Sequence, residues 1–247
     1  MGDESYHRYF FLKRIGYMSG LKIQFSELPT LLPVFPLTGV LLLPRGHLPL
    51  NIFEPRYLAM VRDALGSENR LIGMVQPLPK KAADNVDNES QIVSNSPSIY
   101  AIGCAGRIIG FNETPEGNNL ITLQGVSRFR ITDEIEPKNG YRVVQANFSE
   151  FKADLSDEQS ANFIDRGRLL SAVKKFFEHR NIETEWENLE KAETGRLVTS
   201  LAMNIPFSPI ERQALLESAS TTDLAALLIA MMEMAAAAPT GYGDISH

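Results

Sequence analysis

The stretch PVFPLTGVLLLPRGHLPLNIFEPRYLAMVRDAL, from Pro33 to Leu65, decides the fold. Its first half consists of short apolar runs interrupted by proline and glycine, a pattern typical of β-strands joined by turns. Its second half, Glu54 to Leu65, spaces its apolar side chains as a helix does and carries Pro55, which suits a first helical turn. The stretch therefore predicts a β-rich unit that is interrupted by one helix.

The chain on the carboxyl side of this stretch continues the β-rich pattern as far as about Phe151. Ile121, Leu123 and Gly125 alternate with polar or smaller residues, which is the period of a strand with one buried face. Several short strands with turns between them favour a small barrel or sandwich. The predicted strands are Leu71–Val75, Ile99–Phe111, Leu120–Val126 and Tyr141–Phe151, with a hairpin loop at Asn112–Asn119.

Beyond Phe151 the pattern becomes helical. Three segments place a hydroxyl residue three positions before a glutamate or glutamine, the capping-box pattern that opens helices. They begin at Ser156, Thr184 and Ser208, and the last of them adds Pro209 at the first helical position. We expect the first helix to share one face among Phe163, Leu170, Val173 and Phe177, and a final helix to run from about Thr222 to Ala237.

These patterns divide the chain into four parts. We predict an extension at residues 1–20, disordered or foreign to the native protein, because it lacks any clear period. A β-barrel follows at 21–151, with a mobile polar loop at 77–98, then a helical subdomain at 152–238 and a tail at 239–247.

The composition excludes several classes of function. A formal net charge of −6 and a pI near 5.3 give no electrostatic reason to expect nucleic acid. The single cysteine, Cys104, cannot form an internal disulfide, and the four scattered histidines have no ligand spacing. We therefore expect no metal, no cofactor and no membrane partner, and a cytoplasmic location.

Four separated segments resemble the N-terminal, substrate-binding domain of the Lon proteases, in that family's order and spacing. The first combines Pro36-Leu37, Pro44, Pro49-Leu50, Ile52-Phe53-Glu54 and Arg56-Tyr57. The others are Ile102–Ile108, the glycine-x-x-arginine-aromatic strand at Gln124–Arg130, and Asn204-Ile205-Pro206 with Glu211–Glu217. The resemblance implies an α+β fold in which a PUA-like β-barrel is followed by an α-helical bundle.

The resemblance also implies a function, which is the holding of protein substrates or degradation signals. The sequence contains no G-x-x-x-x-G-K-[ST] phosphate loop and no serine–lysine peptidase segment. We therefore expect a stand-alone, non-catalytic binding module that acts as an adaptor or a substrate-holding protein in quality control. Its expected partners are unfolded or extended protein segments and a separate protease.

A peptide groove or interface is predicted at eight residues. Glu54, Arg56 and Arg128 either tie the helix start to the sheet or form a polar rim around a peptide. Met231 and Met234 lie on the almost wholly apolar final helix, which is either buried or forms an intermolecular contact, including a homo-oligomer. The complete set is Phe53, Glu54, Arg56, Tyr57, Arg128, Phe129, Met231 and Met234.

Two alternative functions remain open at this point. An uncharacterised hydrolase would use a polar pocket in which His47 or Cys104 converges with other groups. A small-molecule or RNA sensor would need a positive or aromatic-lined cleft on the barrel. Both residues also have simple structural explanations, a turn for His47 and a close-packed strand for Cys104.

Overall fold

The structure is a computed structural model that describes residues 23–79, 98–156 and 163–237. The predicted extension at 1–20, most of the predicted loop at 77–98 and the predicted tail at 239–247 lie outside these residues. Within the described part, the residues from 23 to 156 form one compact unit together with Phe207–Leu216. The residues 163–206 and 217–237 form a second unit.

The first unit is a closed β-barrel. Its strands are β1 (Leu31–Pro36), β2 (His47–Ile52), β3 (Leu71–Val75), β4 (Ile102–Glu113), β5 (Asn119–Lys138) and β6 (Tyr141–Asn147). They pair in the order β2-β5-β4-β3-β1-β6, and a further pairing of β5 with β6 closes the ring. Only β1 and β3 run parallel. The predicted α+β class, with a barrel followed by helices, is confirmed.

The long strand β5 closes the barrel because it serves two neighbours along the same edge. Its first part pairs with β2, where Ile121 lies opposite Leu50. Its second part pairs with β6, where Ile131 lies opposite Ala146. β5 spans 20 residues, whereas the alternating pattern predicted only its segment Leu120–Val126. The charged second part, Thr132–Lys138, is exposed and carries no apolar alternation to detect.

The predicted strand Leu71–Val75 is confirmed without change, and every residue in it is buried. The strand predicted to end at Phe151 ends at Asn147 instead. There the side-chain Oδ1 of Asn147 accepts a hydrogen bond from the Ser149 backbone N–H at 2.9 Å, and a 3-10 turn, Ser149–Leu155, follows. Local capping by asparagine thus competes with continuation of the ladder.

The barrel interior is closely packed around the ring of Phe129. A Cβ built on Gly73 or Gly103 would lie 2.8 Å from the Cζ atom of this ring, so the two glycines make room for it. Phe148 packs against the same ring, with 5.9 Å between the ring centroids. The surrounding cluster contains Ile23, Leu32, Val34, Leu71, Val75, Ala105, Val144 and Ala146.

The predicted helix of the β-rich unit is confirmed as α1 (Pro55–Leu65). Proline stands in its first turn, as expected, and Tyr57, Met60, Val61 and Ala64 form its buried face. Tyr57 packs against Phe35 of β1, with ring centroids 4.3 Å apart. At its far end, Asp63 accepts a hydrogen bond from the Tyr141 hydroxyl at 2.6 Å, which ties α1 to β6.

The second unit consists of α2 (Arg166–Arg180), α3 (Trp186–Lys191), α4 (Thr194–Asn204) and α6 (Thr221–Ala237). The capping box predicted at Ser156 extends into residues 157–162, which lie outside the described part of the chain. The helix α2 itself begins at Arg166, where Asp165 caps it by accepting from the Arg168 backbone N–H. Phe163 therefore precedes the helix and is exposed, whereas Val173 and Phe177 are buried as predicted. Arg168 of α2 pairs with Glu233 of α6 at 2.7 Å.

One helix of the predicted helical region packs in the barrel unit instead. This helix, α5 (Pro209–Leu216), begins with the predicted capping box, in which Ser208 and Glu211 exchange backbone-to-side-chain hydrogen bonds. Its Gln213 donates to the Ile102 backbone oxygen of β4 at 3.1 Å. The unit boundary thus differs from the predicted division at 151/152, since buried polar contacts that only the fold creates attach α5 to the sheet.

Candidate functional site

Arg128, a predicted rim residue, is buried inside the barrel unit. Its Nη2 lies 2.7 Å from Oδ1 of Asp154, and the two side chains are only 10% and 8% exposed. Its Nε and its backbone N–H both donate to the Asp154 Oδ2 at 2.9 Å, and Nη1 donates to the Leu216 backbone oxygen. The guanidinium therefore ties β5 to the 3-10 turn and to α5, and it is not available to a ligand.

Phe129 is likewise removed from any surface, because its side chain is fully buried at the centre of the barrel core. Tyr57 is buried as well, and burial is the main cause that raises its pKa above the ordinary tyrosine value. Two of the predicted aromatic contacts, Phe129 and Tyr57, therefore build the scaffold.

Glu54 and Arg56 form a pair with each other at the start of α1. The Arg56 Nη2 and Nε donate to Oε2 of Glu54 at 2.8 and 3.0 Å, and the guanidinium lies over the Tyr57 ring at 4.6 Å from its centroid. Both side chains remain partly exposed, so the two opposite charges neutralise each other at the surface. Phe53, next to it, projects into solvent.

The two predicted methionines of α6 differ in their exposure. Met231 is buried with Leu228 and Met232, whereas Met234 is exposed. Leu224, Ala225 and Ile229 are buried too, so the final helix uses one broad face for packing and leaves Ala226, Met234 and Ala237 outside. Burial of one face agrees with the first alternative predicted for this helix, and an intermolecular contact through the exposed face stays a prediction.

The surroundings of Cys104 do not fit a catalytic thiol. Cys104 is fully buried, and burial raises its pKa far above the ordinary cysteine value, which is the opposite of an activated nucleophile. His47 is exposed on β2 opposite Gln124, whereas Cys104 lies opposite Arg128, four residues further along β5. The two side chains do not converge. Within the described ranges, no three His, Cys, Asp or Glu side chains are grouped as a metal site.

Four large apolar side chains are exposed near the end of the barrel where β2, β4 and β5 pair. Phe53, Ile109, Phe111 and Leu120 are 64%, 43%, 47% and 43% exposed. We call these four residues the hairpin-end surface. Leu120 of β5 lies opposite Asn51 of β2 on one side and Asn112 of β4 on the other, so it shares a face of the sheet with Asn51, two residues before Phe53. Phe111 lies opposite Ile121 and therefore projects from the other face of the sheet.

Sequence reasoning found only Phe53 of these four residues. Ile109, Phe111 and Leu120 fall within or next to predicted strands, where apolar residues are expected to be buried. A register shift between Ile108 and Gly110 turns Ile109 outward. The only signal in the sequence was the even-numbered position of Leu120, which is out of phase with the buried Ile121 and Leu123.

The loop beside this surface is acidic. Residues 112–119 contain Glu113 and Glu116 and no basic residue. A hydrogen bond from the Thr114 hydroxyl is the main cause that lowers the pKa of Glu116, so this carboxylate is ionised at neutral pH. This end of the barrel therefore carries negative charge on its hairpin loop.

A shallow groove of about 320 Å³ lies elsewhere on the barrel. It is lined by Phe25, Leu28, Pro29, Thr132, Ala146 and Phe148, among others. The Lys152 ammonium sits over the Phe25 ring at 4.6 Å from its centroid, which places one positive charge at the groove's border. In the described parts of the chain, no helix is long and apolar enough to cross a membrane.

The first unit thus combines a closed barrel, the helices α1 and α5 packed on it, and an exposed apolar end. The family of the ATP-dependent protease La (LON) substrate-binding domain matches residues 31–234, and the chain belongs to this family. The predicted resemblance to the Lon N-terminal domain is thereby confirmed.

Full-length proteases contain the related segments. The chain is 28% identical over 196 residues to a Lon protease of Flavobacterium johnsoniae, covering 77% of this chain and 22% of that protease. It is 25% identical over 219 residues to Lon protease 2 of Myxococcus xanthus, covering 85% and 24%. The chain therefore spans about a quarter of the length of the curated relatives it matches.

Solved structures share the fold. A Lon N-terminal domain protein from Xanthomonas campestris is 24% identical, with a TM-score of 0.52, and the match covers 82% of this chain and 98% of that one. The N-terminal domain of a Mycobacterium avium complex Lon protease is 15% identical, with a TM-score of 0.55 and coverage of 82% and 97%.

Proposed function

We propose that this chain holds protein substrates by their exposed apolar segments, and that the hairpin-end surface is where it contacts them. The observation that supports this most directly is the exposure of Phe53 and Leu120 at one end of a substrate-binding domain, with Ile109 and Phe111 exposed on the neighbouring strand. Phe53 and Leu120 lie on the same side of the sheet, because Leu120 is opposite Asn51 and Phe53 is two residues beyond it. Exposed large apolar side chains that lie together favour an interaction surface, whereas single exposed leucines do not.

The size of the surface fits weak binding of many different segments. Burying a large apolar side chain contributes roughly 1.5–3 kcal/mol, and these four are already partly covered. Association and the ordering of an unfolded segment oppose that gain by several kcal/mol. We expect affinities in about the micromolar range. Such binding tolerates varied sequences and suits a protein that samples unfolded chains.

The experiment uses the whole chain and reduced, carboxymethylated α-lactalbumin, which stays unfolded in buffer. Fluorescence anisotropy of the labelled client should show saturable binding. The double variant Phe53→Ser/Leu120→Thr should weaken it by roughly tenfold, since two apolar contacts are lost.

The matched control is Leu31→Ser, because Leu31 is 50% exposed on β1 of the same barrel but lies outside the hairpin-end surface. This variant should bind the client as the unmodified chain does. The proposal is wrong if the unmodified chain binds no client, or if the control weakens binding as much as the double variant.

The cellular role we propose is that of a cytoplasmic adaptor or holding protein in quality control, which presents clients to a separate protease. The exposed face of α6 around Met234 supports an additional contact, with that protease or with a second copy. Sedimentation of the unmodified chain and of Met234→Ser tests the second copy, since a dimer formed through this face should weaken in the variant.

A further inference from the structure

The second half of the strand β2, from Pro49 to Ile52, has an open edge next to the hairpin-end surface. β2 pairs antiparallel with β5, and no other described strand pairs with it. Every second residue of an antiparallel strand points its N–H and C=O away from its partner. An edge strand of this kind offers backbone donors and acceptors to another extended chain.

The outward residues of β2 can be identified from two observations. The Gly46 oxygen accepts from the Gly125 N–H at 2.8 Å, so the register assigns the β5-facing hydrogen bonds to Leu48, Leu50 and Ile52. Pro49 has no N–H and lies between them, at a position whose backbone groups point away from β5. Asn51 is outward by the same alternation, and its backbone makes no hydrogen bond with a described residue outside the β2–β5 ladder.

We propose that the open edge of β2 takes up an extended client segment by backbone pairing, with Asn51 as the main hydrogen-bonding position. This rests on the proposed substrate-holding function and specifies its mode. The segment would direct alternate side chains toward Phe53, the residue after β2, and toward Leu120 of β5, both of which are exposed to solvent.

A second copy of the chain fits this edge less well than a foreign strand. Two β2 strands that paired antiparallel about a two-fold axis would either place Pro49 against itself or overlap by only part of their six residues. A foreign segment loses only the one hydrogen bond that Pro49 cannot donate. The edge therefore selects an extended segment of another protein.

Charge complementarity specifies the segment further. The loop at 112–119 carries Glu113 and Glu116, and neither takes part in a salt bridge with a described residue. Ionised groups act over a Debye length of about 8 Å at physiological ionic strength. A client segment with a lysine or arginine at the end beside Phe53 is therefore favoured over a neutral one.

The test uses a fluorescein-labelled peptide of alternating valine and threonine, about eight residues long, ended by lysines. Asn51→Pro removes the outward N–H and leaves the β5-facing ladder intact, whereas Asn51→Ala keeps that N–H. We expect Asn51→Pro to weaken peptide binding about fivefold, in line with the loss of one hydrogen bond, and Asn51→Ala to leave it unchanged. Circular dichroism checks that both variants fold.

Changes in the peptide provide an independent test. N-methylation of alternate residues should weaken binding in one phase of the alternation and not in the other, because only one phase faces β2. The double variant Glu113→Gln/Glu116→Gln should weaken binding of the lysine-ended peptide about twofold at low salt and leave a glutamine-ended peptide unaffected.

Several results would overturn strand addition. Provided that the chain still binds its client, strand addition is wrong if Asn51→Pro binds the peptide as well as the unmodified chain does. It is also wrong if N-methylation has the same effect in both phases of the alternation. A self-associating chain whose dimer alone is weakened by Asn51→Pro would assign the edge to a second copy. If Glu113→Gln/Glu116→Gln does not change peptide binding, the proposed preference for a lysine or arginine in the client is wrong. If the unmodified chain binds neither peptide nor α-lactalbumin, the proposed function fails as well.

Discussion

The barrel wall around Phe129 and the hairpin-end surface are built on the same strand, β5, yet they treat apolar side chains in opposite ways. In the wall, glycines on β3 and β4 make room for the Phe129 ring and the side chain is fully buried. At the hairpin end, Leu120 of the same strand is exposed. An apolar residue on β5 is therefore part of the scaffold or of the contact surface according to which side of the barrel it faces.

The largest expected effect comes from truncating the Phe129 side chain in the barrel core. Phe129→Ala should lower the free energy of unfolding by about 4 kcal/mol, because the surrounding glycines and aliphatic side chains cannot collapse fully into the space. Urea titration followed by circular dichroism measures the loss. Phe53→Ala should change stability by less than about 0.5 kcal/mol. Equal losses in the two variants would remove the distinction between wall and surface.

The charged residues allow the same comparison. Asp154→Asn should lower the free energy of unfolding by about 3 kcal/mol, since it leaves the buried Arg128 guanidinium without its counter-charge. Glu150→Gln breaks the exposed bidentate pair with Arg130 and should have no measurable effect. Similar urea midpoints for the two variants would contradict the expected difference between the buried and the exposed ion pair.

The smallest effect concerns the attachment of α1 to the charged end of the barrel. The Tyr141 hydroxyl, followed by Lys138 and Asn139, lowers the pKa of Asp63 below its ordinary value, so the folded state stabilises the ionised carboxylate. Tyr141→Phe should reduce the free energy of unfolding by about 1 kcal/mol at pH 7, a figure kept small because solvent screens this site.

The pH dependence of that difference has a defined sign. A carboxyl group with a lowered folded pKa contributes its full stabilisation above the ordinary aspartate value of about 3.9. The contribution is lost as the pH falls through the folded pKa. The gap between the unmodified chain and Tyr141→Phe should therefore be constant from pH 7 to about pH 5 and should close in more acidic buffer. A gap that widens with acid would contradict the assignment to Asp63.

Local patterns were sufficient where one element determines its own structure. The strand Leu71–Val75, the helix behind Pro55 and the capping box at Ser208 could all be predicted, because periodicity, proline and hydroxyl capping act within a few residues. The helix that was expected to include Phe163 begins only at Arg166, where Asp165 supplies the cap.

The candidate site could be predicted only in part. Phe53 is exposed as the peptide-groove prediction requires, whereas Arg128 and Phe129 were placed in the same groove and are buried. The residue types alone did not show which of these side chains would be buried. The separation depends on Asp154 and Leu216, which lie 26 and 88 positions away and reach Arg128 only in the folded barrel.

The sequence by itself determined the family, the order of β-rich and helical parts, and the absence of a phosphate loop within its 247 residues, since each of these is written in local motifs. Only the tertiary structure decided that β5 closes the barrel along two partners and that α5 packs on the sheet. It alone also decided that Phe53, Ile109, Phe111 and Leu120 are exposed rather than buried. The physical reason is that strand register and burial depend on partners distant in the chain, which local periodicity does not encode.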